Sequence, residues 1–214
     1  MRWALELVEG PAIEPVLLAE LKRHLGGFDD VTDFDDDITA AGVTAREQIE
    51  QWTGRALVDQ TWRINVGGES VLYDSVAFAG ASTRVSERNG TEILLRRSPV
   101  LEVLSFVSVD SEGAETAVDA SSWELMDAAS KYPRIVARNG ACWLSGLYRI
   151  TFRAGFADLQ LSPADDGTAV PERFRMALKM WAEAFYYRDA QAMDKLIEAA
   201  RGLVRNDKTD MGFA

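Results

Sequence analysis

Apolar residues in PVLLAELKRHL, residues 15–25, fall at Leu17, Leu21 and Leu25, with Leu18 widening the stripe. A recurrence of four places them on one face of a helix. Pro15 suits its first turn and Gly26-Gly27 its end. Lys22, Arg23 and His24 sit in the last turn, where the helix dipole favours positive charge. A second helix is predicted over ITAAGVTAREQIEQWTG. Ile38, Ala41, Ala45, Ile49 and Trp52 share a face there, and Gly54 stands at the cap position. Gly42 costs that helix about 1 kcal/mol relative to alanine, which the pattern survives.

From about residue 57 the period changes to two. Trp62, Ile64 and Val66 alternate with Arg63 and Asn65, and Tyr148, Ile150 and Phe152 alternate with Arg149, Thr151 and Arg153. In VLEVLSFVSVD, alternation puts Leu101, Val103, Val107 and Val109 on one face, with the turn DSEG after them. Such runs, separated by Gly, Asn and Ser turns and by no long helical pattern, predict an antiparallel sheet or sandwich.

Helical periodicity returns after the loop around SPADDGTAVP. Phe174, Ala177, Leu178, Trp181 and Phe185 form one stripe just past Pro171, and Met193, Leu196, Ile197, Ala200 and Val204 form another that runs to about residue 205. The end, NDKTDMGFA, reads as a flexible tail. The expected fold class is α+β, with a helical bundle formed by the N- and C-terminal helices and an inserted antiparallel β domain. Residues 1–56 are assigned to the first helical part, 57–156 to the β insertion and 157–214 to the C-terminal helices and tail. Neither helical end would bury its stripe alone.

Composition narrows the function classes. With 214 residues, 47% of them apolar, and six tryptophans, the chain can bury a sizeable core. No apolar run approaches the roughly 20 residues needed to cross a bilayer. The opening MRWALELVEG makes a poor secretion signal. Cys142 is the only cysteine, which rules out an internal disulfide; it is expected to be buried. Asn89-Gly90-Thr91 is read as a turn. A net charge of −11 argues against broad nucleic-acid binding, which needs lysines and arginines against phosphates, but not against DNA merely passing by.

The densest chemistry is VTDFDDDI, residues 31–38, just after Asp29 and Asp30. Counted as a calcium loop from Asp33, the first, third and fifth positions are Asp33, Asp35 and Asp37. The sixth, which requires glycine, is Ile38, and the twelfth, which requires glutamate, is Thr44. The stretch is therefore read as a helix start, capped by Asp36 or Asp37. His24, the only histidine, has no ligand spacing and is assigned a surface or packing role. No catalytic motif occurs, so no catalytic residue, metal or cofactor is assigned. Trp52, Trp62 and Trp181 lie on the apolar sides of their elements and are read as core anchors. One feature departs from an ordinary surface helix. On residues 172–188 the side opposite the main stripe carries Met176, Met180 and Tyr187, so this helix is either sandwiched within its own chain or meets another subunit.

In order along the chain, EPVLLAELKRHL, DFDDDITAAGVTAREQIEQWTGRAL, QTW, SPVLEVLSFVSVDSEG, WEL, PRIV, YRITFRAGF and VPERFRMALKMWAEAFYYRD resemble phage head–tail connector proteins (head-completion adaptors), also found in gene transfer agents. The loop GGFDDVTDF departs from the more compact form of shorter connectors. The resemblance implies a structural, non-enzymatic ring of about a dozen copies, each meeting its neighbours through two different faces. Such a ring adds to the portal protein, extends the DNA channel without binding DNA specifically, and offers a platform to a tail-side connector or stopper. It implies a place in a virion or phage-like particle assembled in the bacterial cytoplasm, with no membrane partner. Under that implication Met176, Met180 and Tyr187 become one partner surface. Met211 and Phe213 become a tail segment that orders on the portal. The alternatives are a tail-side stopper or terminator ring, a β-domain binding module that uses its aromatics, and, weakest, a metal-dependent hydrolase built on the aspartates.

Overall fold

A computed structural model describes residues 3–27, 31–67, 91–141, 146–156, 170–187 and 190–209. Asp29, Asp30, the Asn89-Gly90 turn, Cys142, loop residues 162–169, Met211 and Phe213 lie outside the described residues. The chain forms two compact units, Met1–Gly10 with Gln60–Gly155 and Pro11–Asp59 with Phe156–Ala214. The fold class is the expected mixture of helices and antiparallel sheets.

The first unit holds eight described strands: β1 Trp3–Glu9, β2 Gln60–Gly67, β3 Glu92–Leu94, β4 Val100–Val109, β5 Glu115–Ala117, β6 Trp123–Met126, β7 Arg134–Ala137 and β8 Leu147–Ala154. A five-stranded sheet runs β1-β2-β8-β4-β5 and a three-stranded sheet runs β3-β7-β6, with every pairing antiparallel. The sequence assignment places residues 1–56 with the helices, but the first ten residues belong to the strand unit, since β1 pairs along β2. The alternation of Trp3, Leu5 and Leu7 with Ala4 and Glu6 was the available signal.

In β2 the alternation holds throughout, with Gln60, Trp62, Ile64 and Val66 buried. They face Ala154, Phe152, Ile150 and Tyr148 of β8. In β4 it fails. Val100 and Phe106 are the buried residues, while Leu101, Val103, Val107 and Val109 are only partly covered. Two register shifts, between Val100 and Glu102 and between Val103 and Ser105, explain the difference. Each inserts an extra residue and moves the following side chains to the other face. Val100, Val103 and Phe106 thereby oppose Ala154, Phe152 and Ile150 at intervals of three. The Phe106 ring meets the edges of Trp123 and Tyr148 and joins the two sheets.

The second unit contains α1 Leu18–Leu25, α2 Asp35–Thr53, α3 Glu172–Tyr187 and α4 Ala190–Val204, followed by a 3₁₀ turn at Arg205–Asp207. Leu21, Leu25, Ile38, Ile49, Phe174, Leu178, Trp181, Ala200 and Val204 form its core with Leu57, Val58 and Phe156. α1 starts later than expected. Pro15 precedes it, Val16 is already buried, and Leu17 is extended and half-exposed. The predicted aspartate cap is also corrected. Phe34 occupies the cap position, its carbonyl accepting from the Ile38 N–H at 2.9 Å. Asp35, Asp36 and Asp37 instead fill the first turn, where the dipole favours them. Gly54 closes α2 in the left-handed region, as its position suggested. Gly42 allows a close approach, because a Cβ there would lie 2.7 Å from Leu21 Cδ1.

Buried charge stiffens this unit. Arg46 donates from Nε to Glu14 at 2.9 Å and from Nη1 to Glu50 at 3.0 Å. The other oxygen of Glu50 accepts from the Leu57 N–H at 2.7 Å. Burial pushes the Glu14 carboxyl above its ordinary range, with Arg46 opposing. For Arg46, burial is outweighed by Glu50 and Glu14, so its pKa is raised.

Candidate partner-binding surfaces

The outward stripe of α3 divides. Met176 and Tyr187 are 41% and 52% exposed. Met180 is partly buried against the core. The Tyr187 hydroxyl donates to the Leu25 carbonyl, and its ring meets Tyr186 edge-on. The helix is therefore not sandwiched along this stripe. Met176 and Tyr187 remain open, while Met180 packs against the core.

Ion pairs flank the stripe where α1 runs beside α3. Glu20 accepts from Arg175 at 2.6 Å and lies 3.4 Å from Lys179, and His24 pairs with Glu183 at 2.9 Å. Burial acts against the Glu20 carboxylate, but the hydrogen bond and charge of Arg175, with Lys179, hold its pKa below the usual 4.5. A depressed carboxylate adds stability that is fully present above its unfolded pKa and is lost as pH falls through the lower folded value. Glu20→Gln should lower stability at pH 7 by at most about 1 kcal/mol, because the pair is only partly buried and solvent screens it. Unfolding midpoints of variant and wild type should converge as pH falls through the lowered folded pKa of Glu20. Parallel pH curves would show that the pair contributes nothing.

The tail departs from its flexible reading as far as Thr209. Asp207 is buried and accepts two hydrogen bonds from Arg173, at 2.6 and 2.8 Å. Thr209 donates to the Thr53 carbonyl from its N–H at 2.8 Å and from its hydroxyl at 2.9 Å. The last turn of α2 leaves carbonyls without intrahelical donors, and Thr209 satisfies one of them.

Trp181 is buried and donates from Nε1 to the Ile197 carbonyl at 3.3 Å, and Trp62 lies beneath the Arg97 guanidinium at 4.4 Å. Trp52 is half-covered, with Arg201 and Lys208 over its ring at 5.9 and 5.3 Å. Lys22 holds Asp35 at 2.7 Å, while Asp33, Asp36 and Asp37 are exposed. Among the described residues no three His, Cys, Asp or Glu side chains gather as a cation site, and no helix is long and apolar enough to cross a membrane.

Sequence periodicity did not reveal exposed Leu17, Val31, Phe34 and Leu203. Each adjoins a helix end, where a stripe argument loses its reference.

No family model and no curated protein matches the chain. Solved structures do. A chain in the virion of a native gene transfer agent particle superposes with a TM-score of 0.65 and 24% identity, over 91% of this chain and 93% of that one. A chain in the neck of an empty particle, computed with sixfold symmetry, gives 0.65 and 24% over 92% and 94%. A chain in the neck of a native particle, computed with twelvefold symmetry, gives 0.57 and 26% over 91% and 94%. Over both of its units, this chain shares the fold of chains found in gene transfer agent particles.

Proposed function

We propose that this protein is a structural, non-enzymatic component of the neck of a phage-like particle. Within the neck it acts as the head–tail adaptor, a ring of about a dozen copies seated on the portal and offering a platform to tail-side proteins. The observation that carries this reading is the extent of the fold likeness, which spans at least 91% of both chains in every comparison and includes both units. The acidic balance supports it, since a negative channel lets DNA slide without being held.

The test is to mix the purified chain with the portal from the same genome, measure the mass of the complex and image it. A stoichiometric ring stacked on the portal is expected. Failure to bind a well-formed portal, with binding to a tail-side ring instead, would move the protein to a stopper or terminator position. Met176→Asp tests the α3 stripe without disturbing the core that Met180 helps to fill. Removing residues 210–214 tests Met211 and Phe213 while leaving the Asp207 and Thr209 anchors in place. Each variant should weaken portal-templated assembly by at least about tenfold, the effect of 1.4 kcal/mol. Unchanged assembly would remove the corresponding surface from the reading.

A further inference from the structure

The start of α2 is acidic, whereas at its other end residues of α4 and the segment after it bring cations to Trp52. At its start, Asp33, Asp36 and Asp37 are exposed beside Val31 and Phe34, which are themselves exposed. At its end, Arg201 and Lys208 stand over Trp52, with exposed Arg205 and Leu203 on the segment that joins them. Beneath them Arg173 is bonded to buried Asp207, and Arg55 is buried with its Nε unpartnered. Asp207 thus pairs with Arg173 and acts on Arg55 beside these cations, in a chain of net charge −11. A helix of 19 residues separates the two ends by about 28 Å, well beyond the Debye length of about 8 Å in physiological salt. They cannot neutralise one another within one molecule.

We propose that the basic, tryptophan-centred end of α2 docks the acidic start of α2 in a second copy of this chain. Phe34 and Val31 of one copy meet Leu203 and Trp52 of the next, while Asp33, Asp36 and Asp37 face Arg201, Arg205 and Lys208. The two patches differ, so the contact is heterologous and leaves each copy its other patch free for another neighbour. That is the contact a closed ring requires. The choice of a ring over an open chain rests on the neck reading; the contact itself rests on charge complementarity. DNA is the competing occupant of a basic patch, but the acidic remainder of the chain repels it.

Two full-length variants test this contact: Arg201→Glu with Arg205→Glu and Lys208→Glu, and Asp33→Lys with Asp36→Lys and Asp37→Lys. Circular dichroism checks that both are folded, and Asp→Asn at the same three positions replaces the second variant if it is not. Sedimentation is compared at about 10 mM and about 1 M salt, where the Debye length falls from about 30 to about 3 Å. Wild type should self-associate in a salt-sensitive way. Each reversed variant alone should lose at least about tenfold in association constant, and their equimolar mixture should recover it. With the Asn set, a wild-type-like association constant would overturn the proposal. A mixture of the Lys and Glu variants that stays monomeric would also overturn it. So would a portal-bound ring that forms unchanged with the basic end reversed, although that result would leave the neck reading standing. Conversely, association in the mixture without portal binding by wild type would sink the neck reading and keep this contact. Retention of a DNA duplex by wild type, abolished by the Glu variant, would reassign the patch to nucleic acid.

Discussion

Replacing Glu50 with alanine should lower the unfolding free energy by about 3–5 kcal/mol, the usual consequence of removing one partner from a buried charge pair. Glu50 is 5% exposed and serves two groups at once, the Arg46 guanidinium and the Leu57 N–H. Without it, Arg46 keeps Glu14 but loses its buried counter-charge, and a backbone donor loses its acceptor. Burial already acts against the charge on Arg46. Glu50→Gln retains an acceptor for Leu57 while removing the negative charge, and should cost about 1–3 kcal/mol. Urea denaturation of both variants checks the order. Equal losses would mean that the hydrogen bond to Leu57 contributes nothing beyond the charge. A loss below about 1 kcal/mol for alanine would mean that the site rehydrates, so that the network does not stiffen the unit.

Phe174→Ala should cost a similar amount, about 3–5 kcal/mol, by a different mechanism. Phe174 lies in the first turn of α3, is fully buried, and packs its ring 5.8 Å from that of Phe156. Leu57 accepts from the Phe156 N–H at 3.3 Å, so the backbone on that side is tied down and the cavity has little freedom to collapse. Phe174→Leu keeps most of the volume and should cost less than about 1.5 kcal/mol. Met176→Ala, two residues away but exposed, should stay within about 0.5 kcal/mol of wild type. The same denaturation series measures all three. A Phe174→Ala loss no larger than that of Met176→Ala would show that this core repacks freely.

The candidate surfaces were partly legible in the sequence. The apolar residues opposite the main stripe of α3 stood out because a solvent-facing side should be polar. Whether Met176, Met180 and Tyr187 were covered depended on neighbouring elements, and the structure answered differently for each residue. The anchoring of Asp207 and Thr209 was not legible, since it depends on Arg173 and Thr53, which are distant in the chain. Neither was the basic end of α2, because Arg201 and Lys208 meet Trp52 only across the bundle.

By itself the sequence determined the helix stripes, the cap at Gly54, the alternation in β2 and β8 and the α+β class. These follow from local periodicity and backbone preference, which operate over a few residues. Tertiary structure decided where periodicity was broken or overruled. Two bulges in β4 moved the buried positions from an odd series to Val100 and Phe106, and only pairing with β8 makes a bulge visible. Pairing with β2 turned the first residues into a strand of the sheet unit. At the start of α2, a turn closed by the Asp35 N–H on the Thr32 carbonyl, with Lys22 from α1 holding the Asp35 side chain, placed the aspartates inside the helix rather than at its cap. Partners far apart in sequence set each of these outcomes, and a pattern read along one segment does not contain them.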